Sequence, residues 1–169
     1  ADSRQDRPPV TIDAGAFKSA LGAFTTGVCI VTAIGQDGCP GGITISAFTS
    51  VSLDPPLVLF CLGRKHEDLI RGARDGRFTI NILAEDQEAV SETFASQRAD
   101  KFEGIDHHPG RNGCAIIDGD LVALECTVDK LHDGGDHLIV VGHVDVLHAA
   151  AGFCPPNSMR NVRSGSPTR

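Results

Sequence analysis

Residues 41–62 limit the folds open to this chain more than any other stretch. They read Gly41-Gly42-Ile43-Thr44-Ile45-Ser46-Ala47-Phe48-Thr49-Ser50-Val51-Ser52-Leu53, then Asp54-Pro55-Pro56, then Leu57-Val58-Leu59-Phe60-Cys61-Leu62. Small hydroxyls (Thr44, Ser46, Thr49, Ser50, Ser52) are spaced among strand-forming apolar residues. Side chains alternate along a strand, so Thr44 and Ser46 are expected on one face and Ile43, Ile45 and Ala47 on the other. The Pro-Pro pair ends that run. Leu57 to Leu62 is so continuously apolar that it reads as a strand buried on both faces. Hydroxyls and backbone N–H groups on a rigid sheet edge can hold a phosphate or a heteroaromatic ring without a cluster of lysines.

The rest of the chain supplies partners for these strands. Asp13 can cap a helix running to about Thr26, with Phe17, Ala20, Leu21 and Phe24 on one stripe and Gly27 at its C-terminus. Val28 to Ile34 is expected to be a strand, closed by a turn at Gly35-Gln36-Asp37-Gly38. A short helix is expected over 66–74, a strand over Arg77–Leu83, and a helix over Glu85–Ser96 with Val90 and Phe94 on one side. Residues 97–120 are mixed. Two strands, Leu121–Leu131 and His137–Leu147, flank Asp133-Gly134-Gly135-Asp136, a plausible hairpin turn. Six or so hairpin-linked strands with helices in the connections predict a mainly β antiparallel barrel with helical insertions. Strict strand–helix alternation is missing, which argues against a doubly wound sheet. The division expected is an N-terminal arm (1–10), one domain (11–150) and an irregular C-terminal tail (151–169).

Composition narrows the function. A chain of 169 residues with a net charge of −7 is one acidic domain, and lacks the basic face that nucleic acid would require. No apolar run approaches the roughly 20 residues of a membrane span, and no partner membrane is expected. Ala1–Pro9 is polar and carries no apolar core of a secretory signal, so a cytoplasmic setting with reduced thiols is expected. With eight Phe but no Trp or Tyr, aromatic contact to a ligand must come from Phe or His.

Most familiar catalytic signatures are absent. The histidines have no metal-ligand spacing: His137 and His143 would share a strand face but lie on the order of 20 Å apart. No Gly-x-Ser-x-Gly elbow and no phosphate-binding glycine loop occurs. What remains is the hydroxyl segment, the Arg64-Lys65 pair opening the next helix, and His137 after a glycine-rich turn. Two cations at a helix start would favour an anion.

In order along the chain, Phe24-Thr25-Thr26-Gly27-Val28, Thr44 to Leu57, Gly76-Arg77-Phe78 with Asn81-Ile82-Leu83, Phe94-Ala95 with Asp100-Lys101-Phe102, and Gly135-Asp136-His137 together resemble the short-chain flavin reductase family. These are the FMN-binding split-barrel reductases of two-component flavin-dependent monooxygenases. The resemblance covers about residues 14–148. It implies an antiparallel split β-barrel, a homodimer, and an NAD(P)H:flavin oxidoreductase that reduces FMN or FAD and serves a separate monooxygenase. It implies that Ile43, Thr44, Ile45, Ser46, Ala47, Thr49 and Ser50 hold the flavin ring and ribityl chain. Ser52, Arg64 and Lys65 would lie near the phosphate, Phe94, Ala95 and Ser96 near the ring or ribityl, and catalytic His137 would seat NADH or NADPH. The alternative it leaves is a flavin-binding split-barrel protein that is not a reductase, or a stand-alone flavin-dependent oxidase. The chain departs from the family pattern at Gly63-Arg64-Lys65-His66-Glu67, where a Ser or Thr often follows the Arg. It departs again after Ala151, where Pro155 and Pro156 disfavour a central strand.

Overall fold

The computed structural model describes residues 12–24 and 26–150; the expected arm at 1–10 and tail at 151–169 lie outside them. Asp13 caps α1 (Ala14–Leu21), its Oδ2 accepting the Ala16 N–H at 2.7 Å. The helix stops at Leu21 rather than near Thr26. Gly22, a poor helix former, takes the C-cap position instead of Gly27. A hairpin of β1 (Cys29–Gly35) and β2 (Pro40–Ile45) follows, closed by the turn expected at 35–38. A second hairpin joins β3 (Phe48–Leu53) to β4 (Pro56–Gly63).

The single hydroxyl-bearing strand expected from the alternation is thus two strands. β2 pairs with β1 and β3 pairs with β4, so the backbone changes partner at Ser46-Ala47. Alternation cannot be carried across that corner, and Thr44 and Ser46 do not share a strand face.

A 3₁₀ turn (Arg64–His66) and α2 (Asp68–Arg71) replace the helix expected over 66–74. Gly72 ends α2, and β5 (Ala73–Ile82) begins earlier than expected. α3 (Glu88–Ala95) lies within the expected helix, with Phe94 and Val90 in one apolar cluster with Ile30 and Ile117. Residues 97–120 contain a small sheet of β6 (His107–Pro109) and β7 (Ala115–Ile117). The long hairpin of β8 (Val122–Gly134) and β9 (His137–Ala149) turns at Gly135-Asp136.

The main sheet has seven strands in the order β2-β1-β5-β8-β9-β4-β3, and every neighbouring pair is antiparallel. Its two edge strands, β2 and β3, are consecutive in the chain. The corner between them is tied to β4 by the Cys61 N–H, which donates to the Ala47 carbonyl at 3.0 Å. The sheet therefore curls without closing, an antiparallel barrel with a split. Val31, Ile43, Phe60, Phe78, Leu124 and Val140 meet in its interior. Gly142 faces Phe78 so closely that a Cβ there would lie 2.5 Å from the ring.

β4 corrects a second expectation. Val58, Phe60 and Leu62 point inward and are buried, whereas Leu57, Leu59 and Cys61 stay partly exposed on the outer face. Among the described residues, nothing covers that face completely. The opposite side of β1 and β5 is sealed by polar ties to β7. Thr32 Oγ1 donates to the Ala115 carbonyl at 2.6 Å, and Asn81 Oδ1 accepts the Ile117 N–H at 2.9 Å.

Candidate functional site

Two cavities open beside the split in the barrel. The smaller, of about 300 Å³, has Ile43–Ala47 on one side and Cys61–Gly63, Lys65, His66, Ala95 and His137 around it. The larger, of about 670 Å³, is bounded by Pro40–Ile43, by Lys65, His66 and α2's Asp68 and Leu69, and by Ala99–Phe102. They share Ile43, Lys65 and His66, so together they form one groove.

Of the residues expected at the site, Ile43, Thr44, Ile45, Ser46, Ala47, Lys65, Ala95 and His137 are brought to this groove. Their roles differ from one another. Ile43 and Ile45 turn into the barrel core and offer the groove mainly backbone. The Thr44 hydroxyl donates to the Ser91 carbonyl of α3 at 2.6 Å, so its proton ties a helix to the sheet. Ser46 and Ala47 are exposed at the corner.

The remaining expected residues lie elsewhere. Thr49 and Ser50 are exposed on β3, and Ser52 sits at that strand's register shift. Phe94 is fully buried beneath Gly42, where a Cβ would lie 2.5 Å from its ring. Ser96 Oγ donates to the Thr93 carbonyl at 2.7 Å and closes the end of α3. Arg64 leaves the groove for the β8–β9 turn. Its Nε donates to the Gly135 carbonyl at 3.0 Å and its Nη2 to Asp133 Oδ1 at 2.7 Å.

His66 and Lys101 are groove residues that the sequence reading did not single out as site residues. Lys101 Nζ donates to the carbonyls of Phe94 at 2.8 Å and Gly42 at 3.2 Å, joining α3 to β2. Burial lowers its pKa. The His66 pKa is also lowered, by burial first and then by the charges of Lys65 and Lys101. Asp100-Lys101-Phe102 carried a signal as part of the ordered motifs; His66 carried none. Together Lys65, His66 and Lys101 put cationic and donor groups in the groove of an acidic chain, where Asp68 and Asp100 partly offset them.

His137 has a defined orientation. Its Nδ1 lies 2.7 Å from Asp136 Oδ1, whose pKa is lowered by this hydrogen bond and by the His137 charge. An ionised carboxylate only accepts, so Nδ1 carries the proton and Nε2 is left for a ligand. Among the described residues, no group of three His, Cys, Asp or Glu side chains is placed to hold a metal ion.

A groove lined by strand backbone, small hydroxyls, cations and an oriented imidazole suits a planar ring carrying a phosphate. Comparison with known proteins decides the family. The flavin reductase like domain matches residues 21–156 of this chain. This chain belongs to the flavin reductase family. The reductase subunit HsaB of a flavin-dependent monooxygenase from Mycobacterium tuberculosis is 43% identical over 136 residues, 80% of this chain and 72% of that one. A nitrilotriacetate monooxygenase component B homologue from Mycobacterium thermoresistibile superposes with a TM-score of 0.78 at 44% identity, over 83% of this chain and 78% of the other. The NADH:FAD oxidoreductase of Streptomyces globisporus C-1027, solved with NAD and FAD fragments, superposes with a TM-score of 0.76 at 36% identity, over 83% of this chain and 84% of that one. The split-barrel fold and the activity follow: the reductase is an NAD(P)H-dependent oxidoreductase acting on flavin, of the kind that serves a monooxygenase.

Proposed function

We propose that the groove between β2 and the 3₁₀ turn is where this reductase brings flavin and NAD(P)H together. The observation that carries the reading is that Ile43–Ala47 and His137, far apart in sequence, line one cavity. Backbone groups of Ile43–Ala47 and the Ser46 hydroxyl hold the ring and ribityl chain. Lys65 faces the phosphate, with His66 and Lys101 lining the larger space beyond it. That space has room for the adenosine of FAD as well as for FMN alone. Bound flavin supplies a two-electron acceptor for NAD(P)H. The chain's own contribution is position: it needs no protein nucleophile, because holding two planar rings in contact supplies much of the rate. His137 Nε2 seats the nicotinamide side, and N–H donors along the sheet edge favour the negative charge that develops on the ring.

The reductase acts as a homodimer. α1 buries none of its residues, and Phe17 and Leu21 remain more than half exposed. Such a short helix is not stable by itself in water and calls for a covering surface, which a second copy supplies. The reduced flavin passes to a separate flavin-dependent monooxygenase. We place the reaction in the cytoplasm, where NAD(P)H is at hand; among the described residues, no helix is long and apolar enough to cross a membrane.

The test is NADH and NADPH consumption with and without added FMN or FAD. Turnover that depends on added flavin is expected. If neither flavin elicits turnover with either nicotinamide, while flavin stays bound through purification, the chain is a flavin-binding protein of another activity.

A further inference from the structure

We infer that Arg64 is a positioning residue that fixes the Gly135-Asp136-His137 turn onto the 3₁₀ turn carrying Lys65 and His66, and so sets where His137 stands in the groove. The inference rests on the proposed nicotinamide role of His137.

The geometry is a clamp between two segments remote in sequence. The Arg64 backbone N–H donates to the Asp136 carbonyl at 3.0 Å, and Gly63 pairs with His137 at the end of the β4–β9 ladder. The side chain then adds what the backbone lacks. Nε holds the Gly135 carbonyl at 3.0 Å, and Nη2 holds Asp133 at 2.7 Å, just before the turn. Nη1 lies 3.4 Å from Glu67, which Arg71 in turn holds at 3.1 Å. The guanidinium thus joins the entry of the β8–β9 turn, at Asp133 and Gly135, to the segment that follows β4, while the Arg64 backbone N–H holds Asp136. Only a planar, forked donor does this, and a lysine ammonium would not.

The clamped turn needs clamping. Gly135 has φ +75°, the conformation a two-residue hairpin loop demands at its first position. The Asp133 and Asp136 side chains are both largely exposed, so side-chain burial at these two positions does not hold the loop. The imidazole depends on Asp136 for its tautomer, and Asp136 depends on the turn for its place. Arg64 therefore directs donors from all three of its nitrogens to protein acceptors, and through them it acts on the reaction by way of His137.

Arg64→Ala and Asp133→Ala separate this role from phosphate binding. The clamp predicts that Arg64→Ala raises the KM for NADH roughly five- to tenfold, while the flavin Kd from fluorescence quenching changes less than about twofold. Asp133→Ala shifts the KM in the same direction by a smaller factor, and Arg64→Lys does not restore it. Amide hydrogen exchange at 135–137 quickens in Arg64→Ala even without ligand. The inference is overturned if exchange at the turn is unchanged, or if Arg64→Ala weakens flavin while Asp133→Ala tightens it, since Arg64 would then be a phosphate ligand. The reductase reading survives either result. If His137→Ala leaves nicotinamide use intact, the His137 assignment falls and takes the purpose of the clamp with it.

Discussion

At the scale of single residues, position in the groove and position in the core make different predictions. His137→Ala removes the ring nitrogen facing the cavity without disturbing the barrel interior. Steady-state kinetics should show kcat/KM for NADH falling about tenfold or more, with flavin affinity largely kept. Equal loss of both would make His137 a structural residue. Gly42→Ala acts from beneath the groove. Its Cβ would lie 2.5 and 2.7 Å from Phe94 ring carbons, and both the ring and β2 are held by neighbours. Overpacking of this kind costs about 1–3 kcal/mol, which a shift of the urea midpoint would report. Asp120 makes the pH prediction. Its Oδ2 is buried without a hydrogen-bond partner among the described residues, and burial raises its pKa from 3.8 to about 6, against the opposing influence of His108 and His148. A carboxyl raised in the folded state favours folding most below its unfolded pKa, and that contribution is lost as pH rises through about 6. Asp120→Asn should therefore be more stable than the parent near about pH 7.5, with the difference vanishing only near about pH 3, below the unfolded pKa. The same offset at both pH values would show that ionisation of Asp120 is not the cause.

At the scale of elements, the informative event is the corner at Ser46-Ala47. Hydroxyl-rich alternation predicted a strand, and β2 and β3 are indeed strands. It could not show that they belong to opposite edges of one sheet, because that depends on pairing with β1 and β4. The corner brings the backbone of 43–47 to the split, and it leaves Thr49 and Ser50 outside the groove. α3 is held to this region by polar ties: the Thr44 hydroxyl to Ser91, and Lys101 to Phe94 and Gly42. Thr44→Val keeps the shape of the side chain and removes one of them. Loss of about 1 kcal/mol in urea unfolding is expected, since a neutral hydrogen bond of this type contributes about that much. No change in stability would mean that Lys101 and the packing of Phe94 hold the helix without it.

At the scale of the whole molecule, apolar surface remains uncovered among the described residues. α1 presents Phe17 and Leu21, and β4 presents Leu57, Leu59 and Cys61 on its outer face. The proposed dimer predicts that Leu21→Asp shifts the sedimenting species from two chains to one, because a carboxylate buried in an apolar contact is strongly unfavourable. A parent protein that already sediments as a monomer would refute the dimer. The sequence by itself determined what is local or periodic. It showed most of the strands and the turns at 35–38 and 133–136, though not the break between β2 and β3 or the small sheet of β6 and β7, together with the Asp13 cap, the apolar side of α3, and an ordered set of motifs sufficient for the family and the barrel. Those features depend on residues a few positions apart, where chain geometry does the pairing. Only the tertiary structure decided which of the named residues meet. Arg64 looked like a phosphate ligand beside Lys65, but acceptors on a turn some seventy residues away draw it off. Phe94 looked available to a ring, but Gly42 lets it sink into the core. His66 and Lys101 enter the groove only because the 3₁₀ turn and the loop after α3 come to the same side of β2. A side chain's partner is set by what the folded chain brings within about 3 Å, and spacing along the sequence does not encode that contact.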